Sequence, residues 1–583
     1  NGSPCIDSGE SSSLPAMDLD GADRVRGNEI DMGAYESPED FEPLPSGEPP
    51  TKLYVARTAT GKSGDSWEDP LSTLYEALLR IAEEGEIWIR SGKYPGGFLL
   101  PGNIDLIGGF AGHEQTLKDR DFSTGSTILE ATGSGTTVLT AFRDDSFIMD
   151  GLTLAGGSSP GSGGGLYGQS CAGRISDCTF ISNSAYDRGA GAYLTGSGDF
   201  VIERCSFLGN TSAKTPHDSE GGGLYSSPTS GSSLTLRECV FRNNGTITEG
   251  AAILAAGSNS HLSIEDCLFE ENFYVDPGFP RPEFSVLHRR GGASTRVINT
   301  VFRNNRHVGQ FNFSYLYTWT ISTSGSGGTT SFEHCDIVDN IGLGGLRLGS
   351  GALSDCLIER NEGAGVSGGE LLIEDCRIAD HAALGVRSTG QDSVTVISRC
   401  TIENNGPYVG FSPTTTPGGL DLSGPSATIL DSFILNNVGT NGAAGGIDCG
   451  ARQLILRNSV IAGNSATGTI STTGGIFFRG ENLRIDNCSF NGNRAFRRFF
   501  SELTPNALGA ALASDVQVAN SIIWDGTAAI SANPETAVFK YCALSQMIPN
   551  EGNLFVDPQF LHPWDGESAD LRLPCDSPCV DAG

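Results

Sequence analysis

ISDCTFISN at residues 175–183 returns as IERCSFLGN (202–210), LRECVFRNN (236–244) and IEDCLFEEN (264–272). Every copy places Cys fourth, an apolar residue sixth and Asn last. A pattern that recurs at intervals of about 20–35 residues marks stacked repeat units rather than one globular core. The series runs on through INTVFRNN, FEHCDIVDN, LSDCLIERN, IEDCRIADH, ISRCTIENN, LDSFILNN, LRNSVIAGN and IDNCSFNGN, ending near FKYC at 539–542. Most copies are preceded by a glycine-opened phrase, such as GGGLY (163–167 and 221–225), GAGAY (189–193), GGLDL (418–422) and GGIDC (445–449).

Each period therefore holds two or three short β segments separated by Gly, Asn or Ser turns. Hairpins would show two-residue turns and longer alternating strands. A rung this short cannot bury its own apolar face, so rungs must stack, and the arrangement that stacks them is a parallel β-helix with coils about 4.8 Å apart. Roughly 18 coils between residues 86 and 545 predict a rod of about 85 Å.

Two columns follow from the alignment. Cys178, Cys205, Cys239 and Cys267 share one register with later cysteines, replaced elsewhere by Thr300, Ser432, Ser459 and Ser521. Small, weakly polar residues suit an inward ladder of free thiols; disulfides are the alternative. Asn183, Asn210, Asn244 and Asn272 head a second column, whose amides are expected to bond from coil to coil while tolerating left-handed turn geometry. Both columns are structural in this reading.

Upstream, Asp69-Pro70 followed by Leu71, Leu74, Tyr75, Leu78, Ile81, Ala82 and Gly85 predicts an amphipathic helix. It precedes a first strand at 86–94 and would plug the open first coil. The organisation predicted is a tail segment (1–37), a Pro-rich linker (38–52), an N-terminal cap with first coils (53–146), β-helix repeats (147–545) and a closing segment (546–583). The net charge of -32 argues against nucleic acid as a partner. No stretch of some 18 apolar residues exists to span a membrane. An odd count of 15 Cys spread along the chain argues against a dense disulfide scaffold.

At this point the residues carry a resemblance. The run LYVARTATGKSGDSWEDPLSTLYEALLRIAEEGEIWIRSGKY (53–94), then GGFAGHEQTLKDRD (108–121), resembles the start of bacterial right-handed β-helix surface proteins. The FxxN and GGxx phrases resemble those of polymorphic outer-membrane autotransporters. DPQF and LRLPCDSPCVDAG near the C-terminus resemble the closing segment of choice-of-anchor β-helix proteins, where it runs into a segment ending DMGAYE. Here DLDGADRVRGNEIDMGAYE stands at 18–36, at the other end, and SPCID (3–7) echoes SPCVD (577–581). The resemblance implies an all-β, right-handed parallel β-helix with an N-terminal capping helix and a displaced N-terminal tail segment. The chain then reads as one period of a tandem array, or as a subunit lending its tail to a neighbour.

Chemistry is sparse at this level. Catalysis in this architecture needs carboxylates or a basic residue converging from neighbouring coils; the nearest candidates, Asp144 and Asp145, have no basic partner repeated on adjacent coils. His113, His334 and His381 read as turn or surface residues, so the expectation is a non-enzyme with no cofactor. Asp18, Asp20, Asp23 and Glu29 are weak candidates for a calcium site, although Gly21 is misplaced for an EF-hand loop. Insertions fall after the Asn column and before the glycine phrase, so their loops share one side of the rod. Arg281, Arg289 and Arg290, then Arg497 and Arg498, make two of them basic and aromatic, and Phe311, Phe313, Tyr315, Tyr317 and Trp319 form a stripe between them. The stripe reads either as a core stack or, beside these arginines, as an interface.

The function expected is a secreted or cell-surface structural protein assembling head-to-tail with copies of itself. Ile30, Met32, Ala34 and Tyr35 would cover the C-terminal end of the preceding unit, because that last coil reads as uncovered. A surface glycan-binding adhesin is the second expectation and a polysaccharide lyase the third.

Overall fold

The computed structural model describes residues 48–582 apart from 101–102, 124, 143–145, 213–218, 230, 276–283, 309–317, 325–327, 407–415, 441, 469–472, 498–502, 505–506, 511–512 and 527–528. Within them the chain winds as a parallel β-helix, each regular coil giving one short strand to each of three sheets. The first sheet has 18 strands and runs from Lys52–Val55 to Ala537–Lys540; the third has 16, from Phe98–Leu100 to Ile530–Ala532. The second sheet lies between them in each coil, with strands such as Thr179–Ile181 and Ser206–Leu208. Eighteen strands at about 4.8 Å give a rod of roughly 82 Å.

The corner between the first and second sheets explains the local fold. One residue there takes a left-handed conformation in successive coils, as at Asp177 (φ 52°), Arg204 (φ 51°), Glu238 (φ 52°) and Asp266 (φ 53°). The next residue is the Cys column, turned inward and buried. Cys205 Sγ donates to the Glu203 carbonyl at 3.2 Å, and Cys178 N donates to Cys205 Sγ at 3.4 Å. Ser432 and Ser459 make the same bonds with Oγ. All the described cysteines are free thiols.

Phe180, Phe207, Phe241, Phe269 and Phe302 stack inside the second sheet, with centroids 4.4–5.0 Å apart and interplanar angles of 3–6°. Face-to-face stacking is not the preferred geometry of free aromatic pairs; the parallel register imposes it, because identical side chains recur at the coil spacing. The Asn column follows. Asn210 Nδ2 donates to Asn244 Oδ1 at 3.0 Å and to the Phe180 carbonyl at 2.9 Å, while Asn210 N donates to the same Asn244 Oδ1. The left-handed residue is the one before it, as at Asn243 and Asn304. The ladder asparagines themselves are not left-handed, because an inward amide needs the turn completed first. The ladder continues through His381, whose N donates to Asn405 Oδ1 at 3.2 Å, and reaches Asp525, which accepts from Asn493 N and Nδ2 at 2.9 Å each. His381 is thus a buried rung and not a surface residue. His334 stands at a left-handed corner, where its exposed ring faces Asp355 at 3.8 Å.

Two expectations at the ends change. The helix is shorter than the pattern suggested, Leu74–Arg80, with Thr73 Oγ1 accepting from Glu76 N at 3.2 Å as its cap. Asp69 does not cap it; its carboxylate takes Lys62 N and Ser63 N in the preceding loop. The first strand is Lys52–Val55, paired with Glu86–Arg90, so the helix enters between two coil strands, burying Leu74, Ala77 and Leu78 against Leu53 and Val55. At the other end the last coil is partly covered. Leu554 N donates to the Cys542 carbonyl at 2.7 Å, and Leu544 N to the Leu554 carbonyl at 2.9 Å. The chain then folds back along the rod, where Trp564 N donates to Asn491 Oδ1 at 2.7 Å. Gly463 and Gly492 are left-handed, and a Cβ on either would strike the Trp564 ring at 2.2 and 2.6 Å. Glycine is required there twice over.

Candidate functional site on the third sheet

Ion pairs climb the outer faces of the first two sheets, as in Arg174–Glu203–Arg237 and Arg242–Glu270–Arg303. Most of these arginines are about half exposed, so the pairs contribute little. The third sheet is different, because several of its outward side chains are buried. One outward column is unbroken over twelve coils from Tyr167 to Phe477, each residue the Cα partner of the next. Eleven steps of about 4.8 Å make it roughly 53 Å long.

The column begins with aromatic rings. Tyr167, Tyr193 and Tyr225 stack at 5.1 and 5.2 Å, both pairs at 9°, and Phe142 meets Tyr167 edge-on. Their faces are taken up by each other, so they present edges and hydroxyls. Burial raises the pKa of Tyr225, and Arg188 sits 5.3 Å over its ring.

A charged cluster follows. Arg188 donates to Glu220 at 2.8 Å, Arg290 bridges Glu220 and Glu249, and His288 Nε2 lies 3.3 Å from Glu249. Ser285 Oγ meets His288 Nδ1 at 3.2 Å, which gives the order of a nucleophile, base and acid. Ser285 is buried, however, on the coil beneath Trp319, so its bond fixes the His288 ring.

Further along, Arg387, Asp421, Asp448 and Phe477 occupy four successive coils. Arg387 Nε donates to Asp421 Oδ2 at 3.0 Å. Asp448 is 1% exposed, lies 2.5 Å from the Arg479 guanidinium and accepts from Ala444 N at 3.3 Å. Burial raises the Asp448 pKa in spite of Arg479, which works the other way. Arg479 also lies 5.1 Å over the Phe477 ring. Two carboxyl groups on neighbouring coils, one buried and one paired at the surface, are the elements of acid–base chemistry.

The residues singled out from the sequence lie mostly elsewhere. Arg290 is in this face. Arg289 is not an interface residue: it points inward and is 2% exposed, because alternation along Phe284–Arg290 sends neighbours to opposite faces. Arg497 ends the strand Arg494–Arg497. Arg281, Arg498, Asp144, Asp145, the aromatic stripe before Trp319, the calcium candidates Asp18, Asp20, Asp23 and Glu29, and the joint residues Ile30, Met32, Ala34 and Tyr35 lie outside the described residues. Among the described residues no group of His, Cys, Asp and Glu is placed to hold a metal, and no helix is long and apolar enough to cross a membrane. The sequence reading missed Asp421 and Asp448. Their signal was present in GGLDL and GGIDC, which put Asp where GGGLY and GAGAY put Tyr.

A family model described as the right handed beta helix region matches residues 123–306 and 287–432, together more than half of the 583 residues. The chain belongs to the right-handed β-helix family. No curated protein matches this β-helix in sequence. Among solved structures it is similar to the periplasmic alginate epimerase AlgG at 10% identity, covering 62% of this chain and 82% of that one with a TM-score of 0.36. It is also similar to ORF18 of Geobacillus virus E2, at 13% identity, 66% and 61% coverage and a TM-score of 0.32. A third is the PL6 family alginate lyase AlyGC, at 10% identity, 86% and 99% coverage and a TM-score of 0.22. At such identity the likeness is one of fold. It nevertheless corrects one expectation: two of these three β-helices are by name an epimerase and a lyase, so the reading of this β-helix as a non-enzyme is withdrawn.

Proposed function

We propose that this β-helix binds a linear polysaccharide laid along the outer face of its third sheet. The observation that carries the reading is the outward column of the third sheet, about 53 Å long by coil count, along which the polar groups of Tyr225, His288, Ser322 and Asp448 are buried. Planar, hydrogen-bonding pairs such as Arg387–Asp421 and Arg479–Asp448 suit vicinal sugar hydroxyls, and their charges balance locally. That balance favours a hydroxyl-rich chain over a polyanion, which the net charge of -32 would repel at long range. The site would face the outside of the cell.

Isothermal titration against a panel of neutral and uronate polysaccharides tests this. Arg387→Ala and Arg479→Ala should each weaken binding about tenfold, the 1.4 kcal/mol range of one charged hydrogen bond. Arg484→Ala, which removes an ion pair of the first sheet, should leave it unchanged. Silence across the panel, or equal effects of all three variants, would sink the reading. Product analysis of the same mixtures extends the test to catalysis: turnover lost in Asp448→Asn would make that carboxyl the acid or base.

End-to-end self-assembly is a second reading with one observation in its favour. Met547 (74%), Phe555 (54%) and Leu561 (55%) are exposed just beyond the last coil, an apolar group that a second copy could cover. Sedimentation of the full chain and of a chain lacking residues 1–37 should show association only in the former; equal behaviour would refute it.

A further inference from the structure

Among the described residues, Arg289 stands outside the ion-pair ladders. Arg289 projects into the coil interior, in the register that Ala255 holds on the coil before and Thr323 on the coil after. Its Nη1 donates to the Ala255 carbonyl at 3.2 Å, and its Nη2 to the Ser260 carbonyl and Oγ at 2.7 and 2.9 Å. Its Nε–H is buried, with no partner among the described residues. Among the described residues no carboxylate pairs with it, and burial alone pulls its pKa down to about 10, so it remains a cation at neutral pH. An uncompensated charge inside a protein costs several kcal/mol.

Arg289 also lines a cavity at the corner between the third and first sheets. Among the described residues, three successive coils contribute only Gly, Ser and Thr to its wall besides Arg289, among them Gly292, Thr295, Thr323, Thr330 and Ser350. Gly292 is left-handed, and a Cβ there would strike Arg289 Nη2 at 1.8 Å, so the corner is shaped around the guanidinium. The cavity opens past Gly291, Thr329 and Ser350, which are exposed. A buried cation whose Nε–H has no partner among the described residues, walled by hydroxyls and glycines, has the chemistry of an oxyanion cradle.

We propose that Arg289 and this corner bind one small oxyanion group, a carboxylate or a sulfate. The free ion and the same group on a sugar chain are the two sources. The cavity is separate from the outer face of the third sheet, so this site stands whether or not that face binds glycan.

The test is titration calorimetry of the full chain at constant ionic strength, with sodium sulfate, sodium acetate and an oligogalacturonide, against sodium chloride. Saturable binding of sulfate or acetate assigns the site to the free ion; binding of the oligogalacturonide alone assigns it to the chain-borne group. Arg289→Met, which keeps the volume and removes the charge, should abolish either signal. Ser350→Asp places a carboxylate at the exposed mouth without touching the core, and should weaken binding at least tenfold even if the first variant folds poorly. No saturable binding of any probe to the natural chain would overturn the proposal. So would binding that Ser350→Asp leaves intact, as would an anion effect shared equally by Arg289→Met, which would be general salt stabilisation.

Discussion

Asn244→Ala is expected to destabilise its coils by about 3–5 kcal/mol, whereas Cys239→Ser, five residues earlier, should change stability by about 1 kcal/mol or less. The two positions are equally buried, and their difference lies in the bonds they close. Asn244 Oδ1 accepts from Asn210 N and Nδ2, while its own Nδ2 donates to the Phe207 carbonyl and to Asn272 Oδ1. Removing the amide strands two donors of Asn210 and the Phe207 carbonyl in the interior, and each orphan costs about 1–3 kcal/mol. At position 239 a serine repeats what Ser432 and Ser459 already do in the same column. Long repeat arrays need not unfold in one step, so the measurement is hydrogen exchange of the amides from Phe207 to Asn272, with urea unfolding beside it. Equal loss of protection in both variants would show that the amide ladder adds nothing to packing.

The last rungs predict opposite pH dependences from two single substitutions. Asp525 is buried against Asn493, with Arg494 nearby, and burial pushes its pKa up to about 7 from 3.8. The fold favours the protonated form, so stability is full below about pH 4 and falls as pH rises towards 7. The loss is at most about 4 kcal/mol, at 1.36 kcal/mol per unit. Asp525→Asn restores the amide of the other rungs and should stabilise by about 2–4 kcal/mol at pH 8 and by almost nothing at pH 4. His381, facing Asn361 and Asn405 with Asp380 beside it, has its pKa pulled down to about 4 from 6.5 by burial. Here the fold favours the neutral ring, so stability falls as pH drops from about 6.5 to 4. His381→Asn should therefore stabilise by about 2–3 kcal/mol near pH 4 and by nothing at pH 8. Denaturation midpoints of the two variants across pH 4–8 check this; parallel profiles would mean that neither group titrates as its burial requires.

The repeat phrases alone determined the parallel β-helix, its approximate coil count and the Cys and Asn columns. They could do so because in a parallel stack every coil meets the same neighbours, so each side chain's environment is written in its register. The same logic placed Asp421 and Asp448 in one column with Tyr167, although they were not read as a site. What one coil's register does not carry was decided only by the tertiary structure. Burial of outward groups on the third sheet depends on how side chains of successive coils pack together, and so do the raised pKa of Asp448 and the isolation of Arg289. His381 and Asp525 could be aligned with asparagines, but only the closed ladder shows that they are buried there without solvent to carry their charge. The fold back of Trp564 onto Gly463 and Gly492 was likewise invisible, because it joins residues far apart in sequence through a contact that no repeat encodes.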